Sequence, residues 1–465
     1  MTDASPASPS ALSSTAASPA PASADAVARR TLLIISPDYA SHLLPLASLG
    51  TAWRDAGDRV VVATGASTAS IVEGFGFERR QLQLGKGSNP GVIRAEEQQR
   101  GEDEALRGFF AATRQGMIDT LAFQARARLS DLMWEPARIA REVQAIVEDL
   151  HPDAIIVDHL AFSARLALVA MGAPYADVVL GHPTALPVGS EIYGYPPVWP
   201  REFAPDDSEL AELRDLCLEV SAHFTAEWNG ALAEVNPDLP PVVDAFAEHG
   251  DLLLLNYPGE LSDPERTAIL PPHEFLGSAV REEPEDLEVA AWLAEAGPFV
   301  YVSFGSFLSV RADVLARVIA ALESLGLRAA IALGSADRAE LGEIPDGWLA
   351  REYLPQVTLL ARASLAITHG GNNSVTEAMT YGVPLLVLPF STDQFAAAEA
   401  LERVGFGQAL APNAASVDEL AAAIGRIIDL PGEARARLDG LSASLRDVPG
   451  RDRAYAALAR LSARP

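Results

Sequence analysis

The stretch Thr368-His369-Gly370-Gly371-Asn372-Asn373-Ser374-Val375-Thr376-Glu377-Ala378 brings a histidine, two glycines, small polar side chains and a carboxylate into one short segment. The apolar run Leu365-Ala366-Ile367 ahead of it reads as a strand, the Gly-Gly pair as a turn, and the residues from Asn372 onward as a helix opened by small polar side chains. A helix start of this kind offers unpaired backbone N–H groups and the positive end of the helix dipole, and so it attracts an anion. His369 can add a donor to a phosphate oxygen. Glu377 lies one helical turn after Ser374, so both can face the same ligand. The segment has the makings of a cradle for a diphosphate and its ribose.

The elements that must position this chemistry alternate between strand and helix. Thr31–Ser36, Arg59–Thr64, Pro152–Asp158, Tyr175–Leu180 and Leu252–Asn256 read as strands. A second series runs through Phe299–Phe304, Ala329–Leu333, Leu365–Thr368 and Leu385–Leu388. Continuous apolar strands separated by helical segments imply parallel sheets covered on both faces. A long helical insertion between Gly101 and Leu150 carries Phe109, Phe110, Met117, Phe123, Met133 and Trp134. Most of these should pack on the first domain, with Phe109, Phe110, Met133 and Trp134 as the candidates for lining an apolar pocket. Residues 1–29, almost entirely Ala, Ser, Pro and Thr, lack the side chains to pack a core and are expected to be disordered.

From Trp348 to Gln394 the sequence resembles the donor-binding signature of the family 1 nucleotide-sugar glycosyltransferases, a group that includes bacterial antibiotic glycosyltransferases. The resemblance implies an α/β fold of two Rossmann-like domains facing each other across a cleft, the GT-B architecture. It divides the chain into an acceptor-binding domain at 30–270, a linker at 271–288, a nucleotide-sugar domain at 289–447, and a C-terminal helix at 448–465 packing back on the first domain. The implied reaction is inverting and metal-independent, from a UDP- or dTDP-sugar to a hydroxyl of a small, largely apolar natural product. No cofactor beyond that co-substrate is called for. The absence of any Asp-x-Asp fits a site where a helix N-terminus and His369 meet the phosphate charge in place of a cation.

The same resemblance assigns roles along the chain. His42, in Ser41-His42-Leu43-Leu44-Pro45 after the first strand, matches the family's catalytic base, and Asp158 at a later strand end matches the carboxylate that orients it. A histidine titrating near neutrality suits proton removal from a hydroxyl, and a carboxylate behind it fixes the tautomer. Tyr353 and Gln356 match the base-stacking aromatic and nucleoside-binding glutamine. Ser306, His369, Gly371, Asn373, Ser374 and Glu377 complete the nucleotide and diphosphate set, and Asp393 and Gln394 match the pair that binds sugar hydroxyls. Apart from the resemblance, His182, which follows the Tyr175–Leu180 strand, is a candidate to border the acceptor.

Composition narrows the alternatives. A net charge of -28 argues against nucleic acid and anionic membrane as partners. Cys217 is the single cysteine, which excludes an intrachain disulfide and a cysteine metal cluster. Lys86 is the sole lysine and lacks the glycine spacing of a Walker loop. No apolar run is long enough to span a bilayer, and no signal peptide is evident, so a cytoplasmic location is expected. The first strand runs into Pro37–His42 without a glycine, unlike a dinucleotide fingerprint. Two alternatives stay open: a sugar-nucleotide epimerase of the same architecture, and an inactive sugar-nucleotide-binding homologue.

Overall fold

The computed structural model describes residues 29–89, 102–295 and 297–462, so the tail expected at 1–29 lies outside the described residues except for Arg29. The first sheet is built from β1 (Thr31–Ile35), β2 (Arg59–Thr64), β3 (Glu78–Gln81), β4 (Ala154–Asp158), β5 (Ala176–Val179), β6 (Leu252–Leu255) and β7 (His273–Phe275), ordered β3-β2-β1-β4-β5-β6-β7. The second is built from β8 (Phe299–Ser303), β9 (Arg328–Ala332), β10 (Leu349–Arg351), β11 (Leu365–Thr368), β12 (Leu385–Val387) and β13 (Gly407–Ala409), ordered β10-β9-β8-β11-β12-β13. All of these pairings are parallel.

Side-chain alternation builds a core on each face of each sheet. Leu33 and Ile35 join one buried cluster with Val61 and Ala63, while Leu32 and Ile34 join another with Val60 and Val62. In the second sheet Phe299 and Tyr301 point to one side, Val300 and Val302 to the other. Each such side chain contributes roughly 1.5–3 kcal/mol on burial, which is why the strands read as unbroken apolar runs.

The segment expected to link the domains, 271–288, begins inside the first sheet, because β7 pairs with β6 through Leu253 and His273. The helix Gly450–Ser462 packs on Ala40–Asp55 of the first domain: Ala454, Ala457 and Leu458 share a cluster with Leu43, Leu46 and Trp53. Tyr455 meets Trp53 edge-on at 5.0 Å, and Arg451 bonds Asp55 at 2.9 Å.

Chain order reverses direction between β1 and β4, and again between β8 and β11. A ligand of an open parallel sheet sits at such a switch point, beyond the carboxyl ends of the strands. At the first, Ile35 lies opposite Val157, so His42 and Asp158 leave neighbouring strand ends. At the second, Ser303 lies opposite Thr368, so Gly305 and His369 do the same.

Candidate active site

His42 sits in the first turn of the helix Ala40–Asp55. Its Nδ1 donates to Asp158 Oδ2 at 2.7 Å, and Asp158 Oδ1 accepts the Leu160 backbone N–H at 2.8 Å. The carboxylate is buried, whereas His42 keeps 28% of its side chain exposed and lines a cavity of about 290 Å³. With Nδ1 committed to Asp158, Nε2 is the nitrogen left to accept a proton. Burial disfavours the imidazolium, but the neighbouring Asp158 carboxylate, its hydrogen bond and the charge of Asp393 outweigh that and raise the His42 pKa. His159, the next residue on the chain from Asp158, is buried beside Asp177 at 3.7 Å, and burial lowers its pKa.

Pro45 gives the His42 helix a further property. It has no N–H, so the Ser41 carbonyl one turn earlier loses its helical partner. Asn373 Nδ2, from the second domain, donates to that carbonyl at 3.2 Å. Asn372 Nδ2 similarly donates to the Asn256 carbonyl at 2.9 Å. The start of the helix Asn372–Thr380 is thereby tied to the segment that carries His42.

That helix start leaves the backbone N–H groups of Asn372, Asn373 and Ser374 without an acceptor among the described residues, because its N-cap is Gly371 and has no side chain to cap it. Gly370, at φ +88°, makes the turn, and a Cβ there would stand 2.7 Å from Val387 Cγ1. His369 packs between two glycines. A Cβ on Gly371 would lie 2.4 Å from its Nε2, and one on Gly305 would lie 2.9 Å from its Cε1. Burial pulls the His369 pKa down to about 4 against a hydrogen bond to the Ser303 backbone, so at neutral pH the ring is uncharged. Ser306 lies in the short helix Gly305–Leu308 that follows β8, but its side chain lies outside the described residues.

Glu377 is buried on the same helix. Arg281 Nη1 donates to its Oε1 at 2.7 Å, and Gln356 Nε2 donates to its Oε2 at 2.7 Å. Burial raises the Glu377 pKa, and Arg281 opposes it. Arg281 also binds Glu283 at 2.9 Å and interacts with the Tyr353 hydroxyl. Ser374 reaches Gln356 Oε1 at 3.5 Å. Tyr353 itself is 59% exposed, with its ring free to stack. Arg281 and Glu283 were not among the expected site residues. They come from the segment between the domains, between β7 and the helix Leu287–Glu295.

Asp393 lines the same cavity as His42. Its Oδ2 accepts the His182 backbone N–H at 2.5 Å across the domains, and Thr392 beside it holds a left-handed φ of +52°. A non-glycine residue in that region marks local strain. Gln394 is placed differently from its expected role. Its Oε1 accepts the Phe390 and Ser391 N–H groups at 2.9 and 3.2 Å, and its side chain is buried, so it braces the loop that presents Asp393.

The acceptor side also differs from expectation. Phe109, Phe110, Met133 and Trp134 do not line the cavity. Phe109 packs against the second domain's core, Met133 and Trp134 against the first domain's, and Phe110 is buried beside Phe109. The walls are instead Leu160, Val179, Leu180, Tyr193, Tyr195, Pro196 and Pro197, with Arg128 among them. His182 lies behind the wall, bonded to Thr184 at 2.9 Å, and burial pulls its pKa down to about 3.

Two parallel α/β domains with their switch points facing one cleft define the GT-B class. In agreement, the fold is similar to that of the kitacinnamycin glycosyltransferase (TM-score 0.65, 20% identity, 93% of this chain and 98% of that one). It is likewise similar to the glycosyltransferase VinC in complex with dTDP (TM-score 0.63, 19% identity, 94% and 100%). Residues 316–443 match the family described as erythromycin biosynthesis protein CIII-like, C-terminal domain. Oleandomycin glycosyltransferase of Streptomyces antibioticus is 28% identical over 45% of this chain and 49% of its own length. Glycosyltransferase GtfC of Amycolatopsis orientalis is 32% identical over 45% and 50%. The chain thus spans about half the length of such curated relatives. By fold the chain is similar to glycosyltransferases of the GT-B class, and the sequence of its second domain is similar to that of bacterial antibiotic glycosyltransferases. Among the described residues no helix is long and apolar enough to cross a membrane.

Proposed function

We propose that this chain transfers a sugar, with inversion and without a metal ion, from a UDP- or dTDP-sugar to a hydroxyl of a small, largely apolar acceptor. The observation that carries this reading is the His42–Asp158 pair, with Nδ1 committed at 2.7 Å and the ring edge lining the cavity. The acceptor hydroxyl lies against His42 Nε2. Its oxygen attacks the anomeric carbon as the proton passes to Nε2, and the bond from that carbon to the diphosphate oxygen breaks in the same step. The leaving diphosphate takes up negative charge, which the free N–H groups at Asn372–Ser374 and the His369 ring stabilise. Tyr353 stacks on the base, Gln356 and Glu377 hold the nucleoside, and Asp393 accepts the sugar hydroxyls. Asn372 Oδ1, buried without a partner and on the cavity wall, offers one more acceptor.

One displacement on an α-linked donor gives a β-linked product. The apolar walls beside His42 favour an acceptor-using transferase over an epimerase, which has no second substrate to house. NMR of the product formed from UDP-glucose or dTDP-glucose with a phenolic acceptor, in excess chelator, tests the reading. A β-linkage is expected. An α-linkage, or turnover that stops in chelator and returns with magnesium, would contradict it.

A further inference from the structure

The cavity beside His42 contains a cation that the proposed reaction does not use. Arg128 projects from the helix Met117–Asp131 and lines the wall together with Tyr193 and Gly194. Its guanidinium lies 5.0 Å from the centre of the Tyr193 ring. Gly194, at φ +82°, leaves the room for it, since a Cβ there would stand 2.6 Å from Arg128 Nη1. Among the described residues no carboxylate pairs with Arg128, and no hydrogen bond occupies its N–H groups. A guanidinium carries five donors in a planar fork that fits a carboxylate. Arg128 is half-buried in a chain of net charge -28, and its own part of the wall, Tyr193, Gly194, Tyr195, Pro196 and Pro197, carries no charged side chain. An exposed arginine stays hydrated, whereas one flattened over an aromatic ring inside a pocket gives up part of that hydration and gains from a ligand that replaces it.

We propose that the acceptor carries an anionic group, a carboxylate, which Arg128 receives while the nucleophilic hydroxyl reaches His42. This rests on the reading of the cavity as the acceptor site. The same chemistry could arrive on the donor, as a uronic acid. Arg128 and the Tyr193–Pro197 wall all belong to the first domain, so the acceptor is the source to which the geometry points.

Calorimetry on the full chain with 6-hydroxy-2-naphthoate and its methyl ester tests this, with UDP binding measured in parallel. The acid should bind roughly 10- to 100-fold more tightly than the ester, the range of a charge-assisted pair. That preference should fall to about one in Arg128→Gln and survive in part in Arg128→Lys. Equal binding of acid and ester by the unaltered protein would overturn the proposal. So would an Arg128→Gln effect confined to the choice between UDP-glucuronate and UDP-glucose as donor. Failure of UDP to bind would count against the transferase reading instead, which keeps the two claims apart.

Discussion

His42 Nδ1 and Asp158 Oδ2 stand 2.7 Å apart although more than a hundred residues separate them in sequence, because β1 and β4 are neighbours at the switch point of the first sheet. Their coupling has a pH signature. A base must be neutral to act, so kcat/KM should rise with pH through the His42 pKa, which Asp158 holds above the usual histidine value. In Asp158→Asn the charge is gone and burial is left to dominate, so the acidic limb should move to lower pH while the plateau falls. A pH–rate profile checks this. A limb that stays in place would detach Asp158 from His42.

The second prediction concerns His369. A hydrogen bond to a charged phosphate contributes about 1.5–3 kcal/mol, so His369→Ala should weaken UDP or dTDP binding roughly 10- to 100-fold. Gly371→Ala should do much the same with His369 intact, since its Cβ would displace the ring. Titration calorimetry distinguishes this from a bystander glycine, for which affinity would not change.

Arg281 and Glu377 form a buried pair at 2.7 Å, with side chains 15% and 4% exposed. Arg281→Leu leaves a buried carboxylate unpaired and should cost about 3–5 kcal/mol. It also raises the Glu377 pKa further above that of the unfolded chain. The unfolded state then ionises first as pH climbs, so the variant should lose stability as pH rises from the usual carboxyl range to the raised pKa. Denaturant melts at several pH values would show it, and Glu377→Gln on top of Arg281→Leu should remove the pH dependence.

Arg311 joins the domains from a buried position. It donates to the Thr113 carbonyl at 2.8 Å, to Asp313 at 2.7 Å and to Asn413 at 2.7 Å. Arg311→Ala removes its bond to the Thr113 carbonyl on the first domain's helix Glu102–Gln115, leaving that carbonyl with Asn413 Nδ2 alone at 2.9 Å, and should destabilise the chain by roughly 2–5 kcal/mol. Hydrogen exchange should rise along that helix. Unaltered exchange there would mean that the helix is held by other contacts.

How much of the fold and site was legible in the sequence depended on local signals. The interior strands announced themselves as apolar runs, within a residue or two of their bounds. The strands that escaped notice, β3, β7, β10 and β13, are the four sheet edges. Edge strands are short and need apolar character on one face at most; β3 reads Glu-Arg-Arg-Gln and is exposed throughout. In the site, His42, Asp158 and the Gly-Gly helix start carried their chemistry in residue type and spacing. Gln394 did not, because nothing in its sequence tells a ligand-facing amide from one that braces its own loop. The insertion aromatics were misjudged for a related reason: Phe109 and Trp134 look the same in sequence whether they line a pocket or close a core. Arg281 was invisible because its partner Glu377 lies far along the chain.

The most direct test of the account is His42→Ala, assayed for sugar transfer to a naphthol acceptor with UDP and dTDP affinity measured on the same preparation. The account predicts a loss of about 10²- to 10⁴-fold in kcat, the usual contribution of a positioned base, with diphosphate affinity retained because its ligands belong to the other domain. Full activity without the imidazole, or an equal loss of diphosphate affinity, would contradict it.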